Sequence, residues 1–148
     1  MSKLKAVLAL AVVVVLAGCA ASGPLYKEIS ATIPAVPAGK GRVYFYRADT
    51  MFGAAVTSDI TLNKRVVGKS ERGSFFYIDE NPGNLVASVS TEVERQLSFT
   101  LAAGETKYIK STVSMGALVG RVNLELASPN DARTEITELH YTGAPEKK

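Results

Sequence analysis

The chain predicts an all-β protein, an antiparallel β-sandwich of about eight strands preceded by an N-terminal signal helix. Three observations point there. Short runs of alternating apolar and polar residues recur from Gly41 to Ala127. Turn sequences rich in Asn, Pro and Gly separate those runs at close, regular spacing. The composition, 47% hydrophobic and 21% charged, suits one packed domain and argues against wholesale disorder.

Lys3 and Lys5 open the chain, and Ala6 to Ala17 is an apolar run that ends at Gly18 and Cys19. A membrane-spanning helix needs roughly 20 apolar residues. This run is shorter and has the size of a signal-peptide core. Leu16-Ala17-Gly18-Cys19 resembles the lipobox of bacterial lipoprotein precursors. The resemblance implies cleavage between Gly18 and Cys19, a diacylglyceryl group on the Cys19 sulfur, and usually an acyl group on its new amine. The thiol is the nucleophile such a reaction needs. Two or three chains hold a membrane firmly, whereas one does so only marginally. Ala20, in place of Asp, implies by the sorting rule of enteric bacteria the outer membrane, facing the periplasm.

Residues 19–40 read as the lipidated Cys followed by a flexible tether. Pro24, Pro34 and Pro37 with Gly23 and Gly39 disfavour regular structure. Leu25, Tyr26, Ile29 and Ile33 leave a second arrangement open, a short arm packed on the domain.

The sandwich domain is expected over residues 41–142. Arg42 to Arg47 is the first strand, with Val43 and Phe45 on one face and Tyr44 and Tyr46 on the other. Asp59 to Leu62 follows, and Asn63-Lys64 forms a tight turn into Arg65-Val66-Val67. Ser74 to Asp79 is next. Asn81-Pro82-Gly83-Asn84 is a turn in which proline fixes one dihedral and glycine permits positive φ. Leu85 to Ser90 and Arg95 to Leu101 continue, with Leu97, Phe99 and Leu101 inward. Ala103-Gly104-Glu105 turns the chain into Thr106 to Val113. Arg121 to Ala127 places Val122, Leu124 and Leu126 inward, the pattern of an antiparallel strand with one wet face. Pro129-Asn130-Asp131 can open a short helix through Glu135, capped by Asn130 or Asp131. Ile136 to Tyr141 can form a last strand. Residues 143–148 read as a frayed tail.

The order of these features resembles a family of bacterial lipoprotein domains of unknown function, whose fold is similar to PEGA-type and transthyretin-like β-sandwiches. The residues that carry the likeness are Gly41 to Arg47, Gly53-Ala54-Ala55, Asn63, Val67-Gly68, Gly73 to Phe76, Pro82-Gly83, and Ala103-Gly104-Glu105 with Tyr108. The resemblance implies no catalytic residues.

Other chemistry finds little support. One Cys excludes an intrachain disulfide, and one Cys with one His excludes a zinc cluster. Without Lys3 and Lys5 the charge is 15 basic to 14 acidic groups, no footprint for nucleic acid. His140 lacks a nucleophile motif around it. Asp79-Glu80 and Glu92 with Glu94 are explained by turn solvation and charge pairing. No cofactor is expected. Two apolar segments stand where loops belong: Met51 to Ala55 and Met115 to Gly120. Either they plug the sandwich ends, or Met51, Phe52, Leu118 and Val119 form a surface for an envelope protein or for lipid. Tyr44, Tyr46, Phe75 and Tyr77 could instead make an aromatic platform for a glycan or small ligand, or cover the second face of a sheet. The functional expectation is a non-enzymatic, lipid-anchored envelope module, attached to the membrane through Cys19.

Overall fold

The computed structural model describes residues 21–143. The expected signal segment, the cleavage at Gly18, the lipid site at Cys19 and the last five residues lie outside the described residues.

Among the described residues nine strands form two sheets. They are β1 (Gly41–Arg47), β2 (Ser58–Leu62), β3 (Arg65–Ser70), β4 (Ser74–Glu80), β5 (Gly83–Ser90), β6 (Glu94–Leu101), β7 (Thr106–Ser114), β8 (Arg121–Ala127) and β9 (His140–Tyr141). One sheet has the order β8-β7-β1-β4-β9 and the other β3-β2-β5-β6. The inner faces meet in a core of Val43, Phe45, Ile60, Leu62, Phe76, Leu85, Val89, Leu101 and Ile109. The four-stranded sheet is antiparallel throughout. In the five-stranded sheet, β1 pairs with β7 and β4 with β9 in parallel. Side-chain alternation reports which face a residue takes, not the direction of its neighbour, so these two pairings are invisible in the pattern.

The turns follow local chemistry. Asn63 and Lys64 both have positive φ, 47° and 67°, the backbone of a two-residue hairpin turn whose twist matches the strands. The Asn63 side chain also accepts the Val86 N–H, at 3.0 Å. Leu126 departs from expectation. It is exposed, on β8 at the edge of its sheet.

The outer face of the five-stranded sheet is not wet. Helix α2 (Pro129–Ile136) lies over it. Its cap is Ser128, two or three residues earlier than expected: the Ser128 hydroxyl accepts the Asp131 N–H, and Pro129 takes the first helical position, where no donor is needed. Ile136, Ala132 and Leu139 pack on Tyr44, Tyr46, Phe75 and Tyr108. Lys110 and the Tyr46 hydroxyl both donate to Glu135, each at 2.7 Å, and fasten the helix to the sheet. Every residue of β1 is therefore buried, and it reads as a nearly continuous apolar and aromatic run.

Residues 21–40, expected first as a flexible tether, take the alternative arrangement of a packed arm. Helix α1 (Tyr26–Ile29) and a 3-10 turn (Ser30–Thr32) follow a bridge between Leu25 and His140. Tyr26 N–H donates to Leu139 O, and its ring meets Phe75 edge-on at 5.3 Å. Pro34 O accepts from the buried Arg42, which forms a double hydrogen bond to Asp79, at 2.7 and 2.8 Å, and lies over the Tyr77 ring. Apolar contacts at Tyr26 and Ile29 outweigh the linker character that the prolines give.

Candidate functional site

The end of the sandwich formed by the β1–β2, β3–β4, β5–β6 and β7–β8 connections carries the two apolar loops. They do not plug it. Leu118 is 94% exposed, Met51 and Met115 each 81%, Phe52 57% and Val119 53%. Val93, at the tip of the neighbouring β5–β6 hairpin, is exposed beside them. The two loops meet on one side chain: a β-carbon on Gly53 would come within 2.5 Å of Val113 Cγ1, and one on Gly120 within 2.7 Å of the same atom. Gly53 also has φ of +70°, so its place in the loop needs glycine twice over.

Each loop is held by one charged side chain. The buried Arg47, at the end of β1, donates to the carbonyls of Val56 and Gly53. Burial, with Arg72 nearby, draws its pKa down. Arg72 in turn pairs with Asp49 at 2.9 Å and reaches the Met51 sulfur at 3.2 Å. On the other side, Glu92 reaches from the β5–β6 hairpin to the β7–β8 loop. Its carboxylate accepts the backbone N–H groups of Val119 (2.6 Å), Leu118 and Ala117 (2.9 Å), and the Arg121 Nε–H at 3.2 Å. Those bonds hold its pKa down at about 2, the Val119 N–H contributing most. The apolar side chains thus stand on backbone that is fixed, which lowers the entropy lost when they are covered.

The other sequence candidates find structural roles. His140 Nδ1–H donates to Gly23 O at 2.6 Å, joining the arm to β9. Asp79 and Glu80 pair with Arg42 and Arg65. Tyr44, Tyr46 and Phe75 lie buried beneath α2 and the arm, as residues that cover the second face of the sheet, so the alternative aromatic platform is not open to a glycan there. Burial raises the Tyr44 pKa to about 12. A groove of about 490 Å³ opens beside Tyr77, between Pro34, Pro37 and Val67, but the cations lining it are already paired, Arg42 with Asp79 and Arg65 with Glu80. Among the described residues no group of three His, Cys, Asp or Glu side chains could hold a metal ion.

Glu92 was not legible as a site residue. An acidic group at a hairpin tip reads as solvated, and its partners lie 25 to 27 residues onward.

A family model described as a protein of unknown function (DUF2846) matches residues 37–122, more than half of the chain. The chain belongs to this family. An uncharacterized protein of Haemophilus influenzae is 27% identical over 103 residues, which cover 69% of this chain and 61% of the relative. The chain thus spans less than two thirds of that relative's length. No solved structure matches. The DUF2846 segment holds both apolar loops together with Arg47, Glu92 and Arg121. The start of the arm, α2 and β9 lie outside the DUF2846 match. Among the described residues no helix is long and apolar enough to cross a membrane.

Proposed function

We propose that the chain is a lipid-anchored module of the bacterial envelope that works by contact rather than catalysis, in a structural or interaction role. Cys19 carries the anchor, and Met51, Phe52, Leu118 and Val119 form the contact surface. The observation that carries this reading is the pair of exposed apolar loops, each tied down by a charged side chain. Exposed apolar patches on an otherwise well-packed domain mark contact surfaces. The lipobox-like Leu16 to Cys19 supports the anchor, and Ala20 favours the outer membrane, facing the periplasm. No nucleic acid or cofactor enters this reading.

Fractionation of cells that express the full chain tests it. The wild type should sediment with outer-membrane markers, and Cys19→Ser should leave that fraction. Equal distribution of the two forms would contradict the anchor.

A further inference from the structure

β4 has a bonded side and an open side. Arg42 N–H donates to Glu105 O at 2.8 Å, so Arg42, Tyr44 and Tyr46 turn their backbone groups toward β7. The residues between and beside them, Gly41, Val43, Phe45 and Arg47, therefore bond β4, at Glu80, Ile78, Phe76 and Ser74. Phe75, Tyr77 and Asp79 turn their N–H and C=O groups the other way, toward β9. β9 uses the first of them: Thr142 N–H donates to Phe75 O at 2.9 Å. Its pairing stops there, having matched only Ser74 and Phe75. Among the described residues no backbone group pairs with Tyr77 or Asp79 on this side.

That open edge lies in a groove. The cavity of about 490 Å³ follows it, lined by Phe76, Tyr77, Ile78 and Asp79 of β4. Arg65 and Val67 of β3 form the wall toward the other sheet, and Pro34, Ala35 and Pro37 of the arm form the other wall. Tyr141 and Gly143 stand at the end where β9 stops. Behind the groove the two sheets close on each other, where a β-carbon on Gly68 would lie 2.4 Å from Phe76 Cζ.

The chemistry of the groove specifies its occupant. Tyr77 and Asp79 each offer a donor and an acceptor, repeated about 7 Å apart along the strand. The backbone of another extended chain matches that repeat with its own acceptors and donors, and the hydroxyls of a sugar do not. The ions that line the groove are paired, Arg42 with Asp79 and Arg65 with Glu80, so nothing in it calls for a charged guest.

We infer that an uncharged extended segment of a partner protein adds to β4 here as a strand, in line with β9 and past its end. Its side chains alternate between the two walls, one set beside Val67 and Ile78, the other beside Tyr77 and Pro37. The stretch opposite Tyr77 to Glu80 spans about 13 Å. This surface is distinct from the apolar loops. Ser74 pairs with Arg47 at the loop-bearing end of the sheet, and Glu80 pairs with Gly41 at the opposite end. The inference goes beyond the contact reading above and uses neither the loops nor Cys19.

The probe is a phage-displayed library of random heptapeptides, panned against the full chain in detergent. Enriched peptides should alternate apolar residues. They should bind Val67→Lys, checked for folding by circular dichroism, several-fold more weakly than the wild type. A synthetic copy should slow amide exchange at Tyr77 and Asp79, while Phe76 and Ile78, already bonded to β1, stay slow throughout. N-methylation of alternate peptide amides should weaken binding roughly tenfold per methyl group in one phase and little in the other. That readout needs no substitution in the protein. A panning that enriches no alternating peptide would overturn the inference, as would peptides that tolerate methylation in both phases or protect residues 115–120 instead. Tyr77 and Asp79 amides already protected in the free chain would overturn it as well. Loss of that protection on deletion of residues 144–148 would give the edge to the chain's own end, and its growth with protein concentration would give it to a second copy.

Discussion

Replacing Phe52 and Leu118 together by Ser separates surface from core. Leu118 is almost wholly exposed, so folding gains almost nothing from its side chain. Phe52 is 57% exposed, and burying a whole Phe side chain is worth up to about 3 kcal/mol, so its covered part contributes about 1 kcal/mol. The double variant should lose about that much, a fall in Tm of roughly 3–6 °C. Leu62→Ala, at a site 1% exposed, should cost about 2–5 kcal/mol by contrast. Covering the exposed parts of Phe52 and Leu118 on a contact partner is worth about 4 kcal/mol, close to a thousandfold in the docking equilibrium. Thermal unfolding by circular dichroism reads the first quantity. Capture by chemical crosslinking in the native membrane, double variant against wild type, reads the second. A Tm loss as large as that of Leu62→Ala would refute the reasoning, because the loops would then be part of the core.

Other expectations follow from single contacts. Glu92 is held at a pKa of about 2 against an ordinary 4.5, so its contribution is fully present above about pH 4.5 and is lost as the pH falls toward 2. Amide exchange at 117–119 should accelerate across that window, and Glu92→Gln should show fast exchange already at neutral pH. Asp79→Ala leaves the buried Arg42 without its partner and should destabilise by about 3–5 kcal/mol in urea unfolding. Lys64→Gly relieves a positive φ of 67° and should raise stability by about 1 kcal/mol. Gly23→Ala should free the arm, seen as proteolysis between residues 25 and 40, with the sandwich intact.

The strands were legible where one face is apolar and the other polar. Arg95 to Leu101 and Arg121 to Ala127 alternate strictly, and Asn63-Lys64 announces its turn. Three things were not. The parallel pairs β1·β7 and β4·β9 leave no trace in alternation. The arm was ambiguous, because Leu25, Tyr26 and Ile29 have the apolar character of a packed segment while Pro24 and Pro34 bracket them as in a linker; only their match to Phe75 and Leu139 resolves it. The candidate surface was half legible. Met51, Phe52, Leu118 and Val119 stand out as apolar residues in loop sequence, but whether they point inward depends on room at the end of the sandwich. Arg47 and Glu92 act through contacts with backbone, which is the same in every sequence and carries no residue signature.

Intact-mass spectrometry of the protein extracted from its native membrane tests the root of this account. The predicted species starts at Cys19 and is heavier than the polypeptide by a diacylglyceryl group, with or without one further acyl chain. An unmodified chain, released from cells without detergent, would contradict it.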